Sequence, residues 1–222
     1  MKIIRQGFTF EEPADGEAIL RKLEQIGRVC YKSEEKITSD SAKGFVERML
    51  KSGHHSVIEH HNISVRAVTD RGVTHEIVRH RIGSYSQEST RYCNYAQDKF
   101  GKEITVILPV WFYDMDGCGE ITMHQYDTWI ECCQRIERDY MSMLDMRMSA
   151  QQARAVLPNS LKTEIVMTYN LREWRHFFKL RCSPKAHPQM VDLACMMLKE
   201  FKETIPVLFD DLYAEYCSEV EK

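Results

Sequence analysis

Apolar and polar positions alternate along "IIRQGFTFEEP", Ile3 to Pro13, which predicts a first strand. From Ala14 to Arg28 the apolar stripe Ile19, Leu20, Leu23 and Ile26 follows helical spacing, so a helix comes next. "SDSAKGFVERMLKSGH" predicts a second helix, with Ser39, Asp40 and Ser41 as cap candidates and Gly53 as its stop. "HNISVRAVT" alternates like a strand. "DRGVTHEIVRHRIG" predicts a short helix from an Asp70 cap to Gly83. "EITVILP" reads as a strand, Glu120 to about Arg147 as a long helix, and "SAQQARAVLP" as a short one. "KTEIVMTYN" predicts a strand, with a helix from Leu171 to Leu180 behind it. Pro188 to Cys217 is helical with a break at Pro206. Strands dispersed among helices, without regular βαβ alternation, predict an α+β fold. The expectation is a single domain over residues 1–222, with an antiparallel or mixed sheet flanked by helices.

Composition narrows the function classes. Of 222 residues, 43% are hydrophobic and 28% charged, enough for a packed core and unlike a disordered chain. The formal net charge of -3 argues against a protein that coats nucleic acid. The N-terminus has no apolar signal core, and no stretch reaches the roughly 20 apolar residues of a membrane helix. A cytoplasmic location is expected, with no membrane or nucleic-acid partner. The eight cysteines are irregularly spaced and include no C-x-x-C, so reduced thiols are the default.

One segment stands apart. "RHRIGSYSQESTRY", Arg79 to Tyr92, sets two arginines around a histidine before a run of hydroxyls and amides. On a helix successive residues turn by about 100°, so Arg79, His80 and Arg81 would fan out and clamp two ligands or two parts of one. The bland alternative is a solvated, well-capped helix end. The loop favours a ligand: short hydroxyl donors with Arg91 suit a nucleotide phosphate, which takes charge-assisted bonds from arginine's fork.

This segment resembles the signature of the flavin-dependent thymidylate synthases: Arg-His-Arg, seven residues, then Ser, here Arg79-His80-Arg81 and Ser89. Three further stretches resemble that family in the same order: "GHHSVIEHHNISV" (Gly53 to Val65), "ARAVLP" (Ala153 to Pro158) and "TYNLREWRHFFKLRCSPKAH" (Thr168 to His187). The resemblance implies an enzyme with that family's fold that methylates dUMP at uracil carbon-5 to give dTMP. Methylenetetrahydrofolate would supply the carbon, and FAD reduced by NADPH the hydride. It further implies a homotetramer with active sites between subunits. The chain has no G-x-G-x-x-G, so its own motifs do not suggest a dinucleotide site.

Carried over by motif position, FAD would be held by Ser56, Glu59, Arg79, His80, Arg81, Gln87, Asn170, Leu171, Arg172, His176 and His187. The nucleotide would be held by Glu76, Arg79, Gln87, Glu88, Ser89, Thr90 and Arg91, largely through backbone N–H groups, and by Arg154 from another subunit. Arg181 would be catalytic, its fixed guanidinium stabilising the base deprotonated at nitrogen-3, with no protein nucleophile. Cys30, Glu76 and His176 stand where relatives are expected to carry Ser, Gln and Asn.

Other readings of these residues differ in kind. His55, His60 and His61 are more simply polar surface than metal ligands, His54 matches the family's Gly-His segment, and no metal is expected. Cys182, beside Arg181, could be a low-pKa thiol that attacks carbon-6 without flavin. A nucleotide- or RNA-binding module would use the arginines and Tyr85 and Tyr92, but leaves Arg154, Asn170, Arg172 and Arg181 unexplained.

Overall fold

The computed structural model describes residues 1–113 and 122–218. The α+β expectation holds. The described strands are β1 (Lys2–Ile4), β2 (Gly7–Phe10), β3 (Asn62–Asp70), β4 (Ser84–Gln87), β5 (Thr105–Ile107) and β6 (Lys162–Asn170). The described helices are α1 (Gly16–Val29), α2 (Ser41–Lys51), α3 (Arg71–Ile77), α4 (Met123–Asp145), α5 (Ala150–Ala153), α6 (Leu171–Arg181), α7 (Pro188–Thr204) and α8 (Pro206–Tyr216). Strand order in the larger sheet is β2-β3-β6-β4, while β1 pairs in parallel with β5. Leu171 N–H donates to the His61 carbonyl and Ser64 Oγ meets Thr168 Oγ1, so numbers rise on β3 as they fall on β6. That pair is therefore antiparallel. No helix among the described residues is long and apolar enough to cross a membrane.

Packing divides the chain into two compact units. Unit 1 comprises Met1–Gly7, Ala67–Arg79 and Ser86–Ile165; unit 2 comprises Phe8–Arg66, His80–Tyr85 and Val166 onward. In unit 1, buried Tyr95, Ile104, Val106, Tyr140 and Leu161 form the core. Met141 and Met143, near the end of α4, pack against it, whereas Met146 is exposed. In unit 2 the core is aromatic: Tyr169, Trp174, Phe177, Phe178, Phe201 and Phe209 are fully buried. Trp174 stacks on Phe178 and donates its indole N–H to the Ile63 carbonyl at 3.0 Å. Burying such rings is worth roughly 1.5–3 kcal/mol each, which makes this face of α6 a fixed platform.

Local signals account for most elements. Asp70 caps α3 by accepting the Val73 N–H at 2.7 Å, and Asn170 caps α6 by accepting the Glu173 N–H at 2.8 Å. Gly53, at φ 71°, follows α2 in the left-handed region where glycine is favoured. Thr122 and Gln125 form a capping box at the start of α4; the expected start at Glu120 lies outside the described residues.

Three expectations need correction. The N-terminal strand is two strands, because Arg5 and Gln6 break it and β1 and β2 belong to different sheets. The helix from Asp70 ends at Ile77 rather than near Gly83, so Arg79, His80 and Arg81 are not helical and the 100° fan does not apply. Tertiary bonds to His80, described below, draw the chain off the helical path. Finally, the hydroxyl-rich loop begins as strand β4, with only its later part turning.

Candidate functional site

Unit 2 gathers His80, Glu173 and Arg181 into a chain of hydrogen bonds. α6 presents Glu173 near its start and Arg181 at its end, on the side that faces His80. Arg181 Nε lies 3.0 Å from His80 Nε2, and His80 Nδ1 lies 2.9 Å from Glu173 Oε1. A guanidinium only donates, so Nε2 is the acceptor and the imidazole proton sits on Nδ1, directed at Glu173. His80 is therefore neutral here, although its partner is a carboxylate. It is buried, with its ring 5.0 Å from Phe177. Burial holds its pKa below the ordinary 6.5 and the Arg181 charge adds to this, against a partial upward pull from Glu173.

The backbone at His80 is fixed as well. Tyr85 donates its hydroxyl to the His80 carbonyl, and its oxygen lies 2.8 Å from the Tyr169 hydroxyl. Gly83 between them has no room to spare: an added Cβ would stand 2.2 Å from a Tyr169 ring carbon. Glu173, which sequence reasoning missed, is thus central to the cluster. The available signal was a carboxylate on the apolar face of α6, among Leu171, Trp174 and Phe177.

Around this core the expected cofactor residues sort by exposure. Ser56, Glu59, Arg81, Arg172, His176 and His187 are exposed in unit 2. Glu59 and Arg172, from distant segments, meet at 2.5 Å. His176 lies beside His80, ring centroids 5.7 Å apart. His80, Glu173 and His176 lie close enough together to hold a metal ion. However, Arg181 occupies the free lone pair of His80 and sets a permanent positive charge beside it. Asn170 spends its side-chain oxygen on the α6 cap. Leu171 is fully buried, and its N–H donates to the His61 carbonyl.

Unit 1 assembles most of the expected nucleotide residues. Tyr92 and Cys93 donate their N–H groups to the Ser89 carbonyl at 3.0 Å, turning the loop back on itself. Arg91 Nε donates to Gln151 at 2.9 Å, and Arg154 donates to Thr90 Oγ1 of its own chain at 3.3 Å. Ser89 is half-buried, and Arg79, Arg91 and Arg154 are exposed. Glu76 is half-buried on α3.

The side chains of Gln87, Glu88 and Thr90 are engaged within unit 1. Gln87 turns its amide to Thr74 and Thr163 at 3.0 and 3.3 Å. Glu88 accepts from Tyr95 at 2.9 Å and Lys162 at 3.0 Å, and its backbone N–H and carbonyl bond to Glu164 and Arg71. Thr90 is buried and serves as the acceptor for Arg154. These residues brace the loop from beneath; Ser89, Arg91 and Arg154 remain at its surface.

Cys182 follows Arg181 but is buried. Neighbouring thiols and burial push its own thiol well above the ordinary range, the opposite of an activated nucleophile.

Residues 17–207 match the sequence family described as Thymidylate synthase complementing protein. The chain is 33% identical over 192 residues to the flavin-dependent thymidylate synthase of Geobacter sulfurreducens, covering 83% of this chain and 78% of that protein. It is 34% identical over 209 residues to that of Mycobacterium avium, covering 89% and 80%. Among solved structures, a UMP/dUMP methylase, PolB, from Streptomyces cacaoi, bound with 5-Br dUMP, shares the fold. The TM-score is 0.76 at 17% identity, over 97% of this chain and 98% of that one.

Proposed function

The chain belongs to the thymidylate synthase complementing protein family, and we propose that it is a flavin-dependent thymidylate synthase converting dUMP to dTMP. The observation that carries this reading is the Arg181–His80–Glu173 chain, which joins the signature histidine to the arginine expected to act on uracil. FAD reduced by NADPH supplies the hydride, and methylenetetrahydrofolate the carbon.

The donors fit such a cofactor. Arg81, Arg172 and His176 offer exposed cationic or fork-like donors of the kind that bind a pyrophosphate and a ring edge. Glu59 holds Arg172 in place through one guanidinium nitrogen. In unit 1, Arg91 and Arg154 flank a turn headed by Ser89, an arrangement suited to a nucleotide monophosphate. The same reading includes a cytoplasmic homotetramer whose sites are completed between subunits.

Arg181 does the electrostatic work. Uracil reacts at carbon-5 more readily once nitrogen-3 carries negative charge, and a fixed guanidinium stabilises that charge without taking a proton. His80 grips Nε and sets the plane of the group. Because His80 is neutral, it orients Arg181 without cancelling its charge, and its other ring nitrogen is held by Glu173. No protein nucleophile is used.

The test is direct. Purified protein mixed with FAD, NADPH, methylenetetrahydrofolate and dUMP should bind flavin, bleach with NADPH and form dTMP. A protein that stays colourless and shows no affinity for FAD overturns the reading.

A further inference from the structure

Three cysteines distant in sequence meet in unit 2. Cys182 ends α6, Cys195 lies midway along α7, and Cys217 ends α8. Their sulfurs all lie within 4.8 Å of one another. Cys217 Sγ stands 2.6 Å from Cys195 Sγ, and all three are free thiols. Cys182 and Cys217 are buried, while Cys195 is half-buried. Cys195 and Cys217 line an open cavity of about 480 Å³ together with Pro188, Met196, Lys199 and Tyr213.

Such a cluster can hold a soft metal ion or exchange disulfides, and the distances separate the two. Two thiolates on one tetrahedral zinc, each about 2.3 Å from the ion, stand roughly 3.8 Å apart. The Cys195 and Cys217 sulfurs would have to part by about 1.2 Å to reach that arrangement. A disulfide, at about 2.05 Å, needs them to approach by only about half an ångström. The cavity also gives a small reagent access to Cys195 while Cys182 stays covered.

We propose that Cys195 is a thiol-exchange site for small disulfides of the glutathione class, resolved by Cys217 into a reversible intramolecular disulfide. The Cys195 thiolate attacks one sulfur of the small disulfide, forming a mixed disulfide and releasing one thiolate. Cys217 then gives up its proton and attacks the Cys195 sulfur, and the second small thiol leaves. Two protein thiols are oxidised and one small disulfide is reduced to two thiols. Hydrogen bonds from Cys182 first, and Cys217 second, lower the Cys195 pKa and outweigh burial, favouring it as attacker. In a reducing compartment the bridge is transient. This inference rests on unit 2 alone and does not depend on the flavin reading.

The experiment treats the reduced full chain with oxidised glutathione and maps unreduced peptides by mass spectrometry. A Cys195–Cys217 cross-link is expected, removed by dithiothreitol. Cys217→Ser should stop at glutathione on Cys195, and Cys195→Ser should give neither product. Should a variant fail to fold, the unaltered chain still decides: iodoacetamide at pH 6 should label Cys195 about tenfold faster than exposed Cys30. Comparable labelling of the two, or Cys195 and Cys217 both staying free while Cys30 is glutathionylated, overturns the proposal. So does purified protein carrying one equivalent of zinc or copper(I) that Cys195→Ser loses, which marks a metal site instead.

Discussion

Arg181 donates its Nε–H to His80 Nε2 across 3.0 Å, although 101 positions separate the two residues. The bond fixes three things at once: the plane of the guanidinium, the tautomer of the imidazole and the direction of the proton given to Glu173. Glu173→Gln keeps an acceptor for His80 but removes its charge, and should cost about 1–3 kcal/mol of stability in urea titrations. Turnover should fall with it, through kcat more than KM, because the change acts on the orientation of Arg181. Unchanged kcat in a folded Glu173→Gln protein would show that the imidazole does not position Arg181.

The pH dependence of stability follows from the neutral His80. In the unfolded chain this histidine titrates near 6.5, and in the folded protein lower. Between the two values the unfolded state binds more protons, so stability rises with pH. The contribution is fully present above pH 6.5 and is lost as pH falls toward the folded value. Denaturation at pH 7.5 and pH 5 should therefore show a larger acid loss for the native chain than for His80→Asn, at most about 1.4 kcal/mol per pH unit. His61, also lowered chiefly by burial, contributes equally to both proteins and cancels. Equal acid losses in the two would contradict the assigned tautomer.

The Glu59–Arg172 pair is exposed on both sides, so its weight in the fold is small. Arg172→Ala should change stability by less than about 1 kcal/mol. Flavin affinity, measured by quenching of flavin fluorescence, should nevertheless fall about tenfold or more, since a charge-assisted contact is worth roughly 1.5–3 kcal/mol. A variant that binds FAD as tightly as the native chain removes Arg172 from the cofactor site.

Glu88 and Lys162 brace the Ser89–Arg91 turn from within. Lys162→Met leaves a half-buried carboxylate without its cation and should loosen that turn. The expected result is a KM for dUMP raised about tenfold, with flavin absorbance unchanged. A normal KM would mean that the turn holds its shape without the brace.

At Gly83 the constraint is space. Gly83→Ala drives a methyl group into the Tyr169 ring, which overpacks a buried contact by about 1–3 kcal/mol. A clear fall in Tm is expected, along with weaker flavin binding, because the same segment carries Arg81 and the His80 carbonyl. An unshifted Tm would show that the ring gives way at no cost.

The sequence by itself determined the features with a local signal. Alternation located β3 and β6, helical spacing located α1, and Pro206 marked the break between α7 and α8. The Arg-His-Arg spacing carried the resemblance to the family because a motif is itself a local pattern. What only the tertiary structure decided depends on partners far away. Glu173 looked like an ordinary charged helix residue until burial set it against His80. That the side chains of Glu88 and Thr90 are bonded within unit 1 is written in no local pattern. α3 ended early because the bonds to His80 outweighed the local preference for helix. The three thiols share no spacing pattern and meet only because α6, α7 and α8 bring them together. Periodicity reports which face of an element is buried; hydrogen-bond partners depend on the packing of whole elements, which no short window of residues contains.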